Sequence, residues 1–201
     1  MITYELNSSH LSFAHQSWKS HLSPDDLALD ATCGNGHDTL FLAQQLPQGT
    51  VIGFDIQEEA LEQTRRRTQG MSNVTLYHCC HSEIPHLILP QKPRLIVYNL
   101  GYLPGGDKTV TTKTETTLHS LKGSLEILAE DGTLSVTCYP GHEEGAREEA
   151  AVVEWAQGLN CSVGWYRTLK RREAPSFLWI SPIMKKLPQM SSGSLLEIVV
   201  G

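Results

Sequence analysis

Three places in the chain carry residue types at spacings that can do chemistry. The first is Asp30-Ala-Thr-Cys-Gly34-Asn35-Gly36-His-Asp38-Thr39, a carboxylate followed by two glycines and a polar run. The glycines let the backbone turn tightly against a ligand, and a helix starting just after them presents N–H groups that favour negative charge. The second is Asp55, nineteen residues beyond Gly36, a spacing that suits hydrogen bonds to ribose hydroxyls. The third is "VYNLGYLPGGDK", residues 97–108, where an apolar run breaks at Asn99 and turns at once. A strand that ends in this way places the asparagine amide somewhere particular, the plainer alternative being a strand-end turn capped by Asn.

A Gly-x-Gly loop followed by an acid also occurs in dinucleotide-binding proteins, and alone it is weak evidence. Here the third fingerprint glycine would fall at Thr39, and Asp30 sets a carboxylate beside the loop, awkward for a pyrophosphate but suited to an ammonium group. S-adenosylmethionine has that ammonium, a carboxylate for the helix end and a ribose for Asp55. The acid-x-x-x-Gly-x-Gly loop thus resembles motif I of the class I methyltransferases, with a nucleotide-binding module or dehydrogenase as the competing reading. Asn99-Leu100-Gly101-Tyr102 resembles the Asn/Asp-Pro-Pro-aromatic motif of amine-directed members, with Leu and Gly in place of the prolines. Methyl transfer is an in-line displacement, so a nitrogen lone pair must point at the sulfonium methyl. An amide oxygen and a following carbonyl that accept the amine's hydrogens fix that direction. A neutral amide also avoids pairing with an ammonium, which would raise the amine's pKa. Tyr102 is suited to packing on a nucleobase ring.

The elements that must position these groups alternate. Strands are expected at 26–32, 50–56, 74–80, 93–100 and 132–140, and helices at 36–46, 58–69, near 83–89, at 113–129 and 143–157. "SVGWYRTL" and "SFLWISPIM" read as a closing pair of strands. Such alternation implies an α/β fold, a mostly parallel sheet covered on both faces with an antiparallel hairpin at one edge. Ligands of such sheets bind outside the carboxyl ends of the strands. "SFAHQSWKSHL" near the start is either a helix capping the ligand or one packed on the sheet. The Ser/Gly-rich stretch past Lys186 reads as an extension or tail to a single domain spanning 1–186.

The whole order of motifs, "DATCGNGHDT", "GFDIQ", "NLGYLPGGDK", "TKTETTL" and "YPGHEEG", resembles the bacterial rRNA methylase group, whose characterised members are tRNA 5-aminomethyl-2-thiouridine methyltransferases of the MnmM type. The resemblance runs over most of residues 10–184. It implies a Rossmann-like, seven-stranded methyltransferase sheet in the order 3-2-1-4-5-7-6, S-adenosyl-L-methionine as donor, and the wobble uridine in the anticodon stem-loop of tRNA as substrate. The acceptor would be the primary amine of a 5-aminomethyl group, converted to methylaminomethyl. Methylation of rRNA or of a small amine is the alternative.

Carried onto this sequence, the resemblance puts Asn35, Gly36, Asp38 and Thr39 at the methionine end of the cofactor, with Asp30 and Gly34 in the same loop. It puts Asp55 and Gln57 beside ribose and adenine, and His81 and Ser82 beside adenine. On the acceptor side, Lys108, Thr112 and Lys113 precede a helix as a phosphate grip. His142 of "YPGHEEG" is placed to contact substrate or relay a proton. Lys170, Arg171 and Arg172, in the turn between the last two strands, reach the anticodon backbone if the strand before them runs with the core. Arg65-Arg66-Arg67 reads as a solvated helix face, and Cys33 as a packing residue.

Composition bounds the rest. With 40% hydrophobic and 19% charged residues, the 201-residue chain is an ordinary folded domain rather than a disordered one. The apolar runs are too short to span a membrane, and "MITYELNSSH" lacks the layout of a signal peptide. Five cysteines without a CxxC pair argue against a disulfide framework and a zinc knuckle, which points to the cytoplasm. No His or Cys spacing asks for a metal. A net charge of -6 argues against indiscriminate nucleic-acid binding while allowing a local basic patch. The oligomeric state stays open, a homodimer included.

Overall fold

Runs such as "LALD" and "LIVYN" are buried along their length, so they need neighbours on both edges and helices on both faces. The computed structural model describes residues 10–168, 173–182 and 195–200. In chain order these form α1 (His10–His21), β1 (Leu27–Asp30), α2 (His37–Gln45), β2 (Thr50–Asp55), α3 (Glu58–Arg67) and β3 (Val74–His78). A 3-10 segment (His81–His86), β4 (Leu95–Asn99), α4 (Thr114–Ile127), β5 (Thr133–Cys138) and α5 (Glu143–Gln157) follow. The chain closes with β6 (Cys161–Thr168), β7 (Ser176–Pro182) and β8 (Leu195–Val200).

One sheet takes the order β3-β2-β1-β4-β5-β7-β6-β8. The seven-stranded order expected from the sequence is present, with an eighth strand outside it. β1 to β5 pair in parallel, and β7 lies antiparallel to both β5 and β6. Two reversals make β6 run with the core, so it ends at Thr168 on the same rim as β1, β2 and β4. Lys170, Arg171 and Arg172 lie outside the described residues. β8 pairs in parallel with β6. It falls where composition suggested a tail, because Ser and Gly just before it mask the β-favouring run "LLEIVV".

Alternate strand residues sort the core into two layers. Leu27, Leu29, Ile96, Tyr98 and Leu134 pack toward Leu121 of α4 and Val152 and Ala156 of α5. Ala28, Val51, Leu95 and Val97 pack toward Ala14 and Trp18 of α1 and Leu42 and Ala43 of α2. The "SFAHQSWKSHL" segment therefore packs on the sheet. Trp18 is fully buried, and its indole N–H donates to the Ser135 hydroxyl of β5 at 2.8 Å, so the large ring is buried without stranding its donor. Among the described residues no helix is long and apolar enough to cross a membrane.

Candidate active site

The loop after β1 is shaped by its backbone. Cys33 N–H donates to Phe54 of β2 and Gly36 N–H turns back to the Cys33 carbonyl at 2.8 Å. Gly34 and Gly36 hold φ of 52° and 75°, and a Cβ on Gly36 would lie 2.7 Å from the Thr64 Cα of α3, so both conformation and space demand glycine there. α3 grips the loop from the other side: the Thr64 hydroxyl donates to Gly34 O and Arg67 Nε to Asn35 O. Asn35 donates its side-chain amide to Pro104 O, tying this loop to the one after β4. Asp55, half-buried at the end of β2, accepts the N–H groups of Gly34 and Gln57 at 2.9 Å each. Burial raises its pKa.

Asp30 and Thr39 are bonded to one another at the base of the loop. Both are fully buried, and the Asp30 carboxylate accepts the Thr39 hydroxyl at 2.6 Å and the Thr32 N–H at 3.2 Å. Burial first, then the charge of Asp38, pushes the Asp30 carboxyl up to about 7. Asp38, in the first turn of α2, has two protein partners. It accepts from His15 of α1 and from the Asn99 side-chain amide, each at 2.6 Å. Cys33 is buried with its thiol pKa held well up by burial, so it packs and is no nucleophile.

Asn99 ends β4 with its backbone N–H on the Thr32 hydroxyl at 2.7 Å. A carboxylate can only accept, so Asp38 takes the NH2 end of the Asn99 amide and the oxygen is left facing the other way. That oxygen is buried and has no protein partner. The residues that replace the two prolines of the related motif each supply a backbone donor that proline lacks. Leu100 N–H reaches Thr137 O of β5, and Gly101 N–H reaches the Thr112 hydroxyl at 2.8 Å. Gly101 also sits at φ 139°, a conformation closed to proline.

The loop after β4 is pinned at its base. Thr112 N–H returns to Gly101 O, and Tyr102 bridges to Thr111. The Thr112 hydroxyl accepts from Gly101 and donates to Glu148 of α5 at 2.7 Å, and Thr117 of α4 donates to the same carboxylate at 2.6 Å. Thr112 is thus a loop anchor beside a buried acid. Lys113, exposed, precedes the first turn of α4, and Lys108 sets its ammonium 5.5 Å from the centre of the Tyr102 ring. The His142 ring lies 5.4 Å from Tyr102, tilted by 51°.

His142 caps α5: its Nδ1 accepts from Gly145 N–H at 3.1 Å. His142 thus serves as a helix cap beside Tyr102, and its Nε2 is buried without a protein partner. His81 is buried edge-on to Tyr98, with burial lowering its pKa to about 4. Ser82 beside it donates its N–H to the Cys80 sulfur.

Three residues of this arrangement escaped the sequence reading. His15 had no local signal, since its partner lies 23 positions away. Glu148 did have one, for it sits on the apolar face of α5 with Val152 and Ala156. Arg67 holds a loop carbonyl although its run reads as a solvated face.

The residues present suit S-adenosylmethionine. Asp55 keeps lone pairs for hydroxyls, and the N–H groups opening α2 have no side-chain cap and are free to meet a carboxylate. The buried acid Asp30 favours a cationic neighbour, and the unpartnered Asn99 oxygen marks where a further N–H donor fits.

A family model described as "Putative rRNA methylase" matches residues 51–181. A tRNA (mnm5s2U34)-methyltransferase, chloroplastic, from Arabidopsis thaliana is 35% identical over 185 residues, 83% of this chain and 67% of that protein. The solved structure of an rRNA-methylase from Clostridium thermocellum superposes with a TM-score of 0.84 at 31% identity, over 90% of this chain and 100% of the other. A methyltransferase from Streptococcus mutans, solved in complex with SAH, gives a TM-score of 0.78 at 30% identity over 91% and 100%.

Proposed function

Since the chain belongs to the rRNA methylase family of class I methyltransferases, we propose that it methylates the primary amine of a 5-aminomethyl group on the wobble uridine of tRNA, giving 5-methylaminomethyl. S-adenosyl-L-methionine is the donor, and when bound it supplies an electrophilic methyl group. The single observation that carries the acceptor assignment is the Asn99 oxygen, buried, unpartnered and held in that orientation by Asp38 on the amide nitrogen.

The chain's own residues divide the work. The N–H groups opening α2 hold the donor's carboxylate, and Asp55 with Gln57 holds its ribose. Asn99 accepts one amine hydrogen, which aims the nitrogen lone pair along the line of displacement. Tyr102, flanked by Lys108 and His142, stacks on the uracil ring. Lys108 and Lys113 meet phosphates of the anticodon stem-loop, and the sequence adds Lys170, Arg171 and Arg172 to that set. The amine sheds its proton to water as it enters, because desolvation near a cation lowers its pKa. All five cysteines are free, which fits a reducing cytoplasm.

The test is to incubate the purified protein with S-adenosylmethionine and tRNA from cells lacking the methylaminomethyl modification, then weigh the digested nucleosides. The expected product is 5-aminomethyl-2-thiouridine carrying one added methyl. Asn99→Ala is expected to cut the rate by about 100-fold or more. Methyl appearing only on rRNA, or on no RNA, overturns the acceptor assignment.

A further inference from the structure

We infer that Asp38 and His15 are positioning residues for methyl transfer, acting through Asn99 to keep its amide oxygen toward the acceptor and tying that geometry to the docking of helix α1. The inference rests on the reading of Asn99 given above and extends it to two residues that touch neither the amine nor the methyl group.

An unrestrained asparagine amide can rotate half a turn and present NH2 where its oxygen should be. The two faces have opposite meaning to an amine whose hydrogens must be accepted and whose lone pair must stay free. Asp38 Oδ2, 2.6 Å from Asn99 Nδ2, removes that ambiguity because an ionised carboxylate repels the oxygen end and binds only the NH2 end. Asp38 is itself held by His15 Nε2 on its other oxygen, also at 2.6 Å. His15 is fixed in turn: its ring stacks on Phe41 of α2 with centroids 4.0 Å apart and planes 14° from parallel. One turn further along α1, Trp18 anchors the helix to Ser135 of β5. The line Trp18, His15, Asp38, Asn99 thus runs from the sheet through α1 and α2 to the acceptor oxygen, with each member packed or hydrogen-bonded to the next element. Asp38 has only 11% of its side chain exposed, so water competes weakly for these bonds.

The test is a double-mutant cycle on steady-state methylation of the undermodified tRNA, with cofactor affinity measured separately by titration of S-adenosylhomocysteine. Asp38→Ala is expected to lower kcat by about 10- to 100-fold, since a misdirected group of this kind costs that much. The dissociation constant for S-adenosylhomocysteine should change less than about 3-fold, well under the factor lost from kcat. Asp38→Asn keeps a carbonyl for the Asn99 NH2 but can also turn its own NH2 to the Asn99 oxygen, so it should recover only part of the lost rate. His15→Ala produces a smaller loss of the same kind and serves if Asp38→Ala does not fold. In an Asn99→Ala background, neither second substitution should cost anything further, because residues acting through one group are not additive. Losses that multiply, or a loss that falls on cofactor affinity with kcat intact, overturn the inference while leaving Asn99 in its role. Full activity of Asn99→Ala alone overturns the acceptor reading itself, so the two failures are told apart.

Discussion

The two loops that meet at the rim, one after β1 and one after β4, are built on different principles. The first is shaped mainly by its backbone: glycines at positive φ, N–H groups spent on Phe54 and Asp55, and α3 packed directly on Gly36, with the Thr64 and Arg67 side chains gripping its carbonyls. The second is held by side chains brought from far along the chain. Glu148 clamps Thr112 and Thr117, and Lys108 and His142 flank Tyr102. A backbone-built loop leaves few residue choices, whereas a side-chain-built loop can be retuned for an acceptor without disturbing the first. The two share the Asn35 to Pro104 hydrogen bond and the Asp38 to Asn99 contact, and those are where donor and acceptor geometry are linked.

On that division, the largest effect comes from striking the backbone-built loop. Gly36→Val puts a branched side chain at φ 75° and within 2.7 Å of the Thr64 Cα, so the turn cannot persist. Affinity for S-adenosylhomocysteine should fall by about 100-fold or more, in keeping with several kcal/mol of lost turn geometry. Calorimetric titration checks it, and near-normal affinity would mean the first loop is not the cofactor cradle.

Striking the side-chain-built loop should do the reverse. Glu148→Ala strands the Thr117 hydroxyl, which is fully buried, and frees Thr112 from its anchor. The expected loss is about 2 kcal/mol of stability, a fall of roughly 4–8 °C in melting midpoint. The expected functional change is a drop of about 10-fold in kcat/KM for tRNA with S-adenosylhomocysteine affinity unchanged. Glu148→Gln keeps an acceptor for Thr117 and should lose less than half as much. Equal damage to cofactor affinity would erase the distinction between the loops.

The same contrast explains what could be read in advance. The first loop was legible because its working parts, two glycines and the acids around them, lie within a few positions and because backbone geometry leaves few residue choices. The strand order followed from the resemblance, and the position of Asn99 from a buried strand stopping short. What chain position left open for Asp30, Thr39, His81, Thr112 and His142 is which partners their side chains take. Chain position fixes which end of the sheet a residue reaches, but not whether its side chain turns to the rim or to the core. His15 with Asp38 and Glu148 with Thr112 are pairs separated by 23 and 36 positions, so only the folded topology brings them together.

The smallest predicted effect asks why the backbone-built loop keeps acids beneath it. Asp30 is fully buried and its carboxyl is raised from 3.8 to about 7, by burial first and then by Asp38. A raised carboxyl means the folded protein retains a proton that the unfolded chain has released between those two values. Stability therefore falls as pH rises from about 4 to about 7 and levels off above. An asparagine side chain at this position can accept the Thr32 N–H and donate to the Thr39 hydroxyl, so Asp30→Asn should fold without that cost. The variant and the parent should melt together near pH 4, and the variant should melt higher at pH 8. Adding S-adenosylhomocysteine, which carries an ammonium but no sulfonium, then S-adenosylmethionine, which carries both, separates two reasons for the acid. If the buried charge serves the sulfonium, the variant loses more of the melting shift given by S-adenosylmethionine than of that given by S-adenosylhomocysteine. If it serves only the ammonium, both shifts shrink equally. If neither shrinks, Asp30 is a fastening for Thr32 and Thr39, and the first loop holds its ligand by backbone alone.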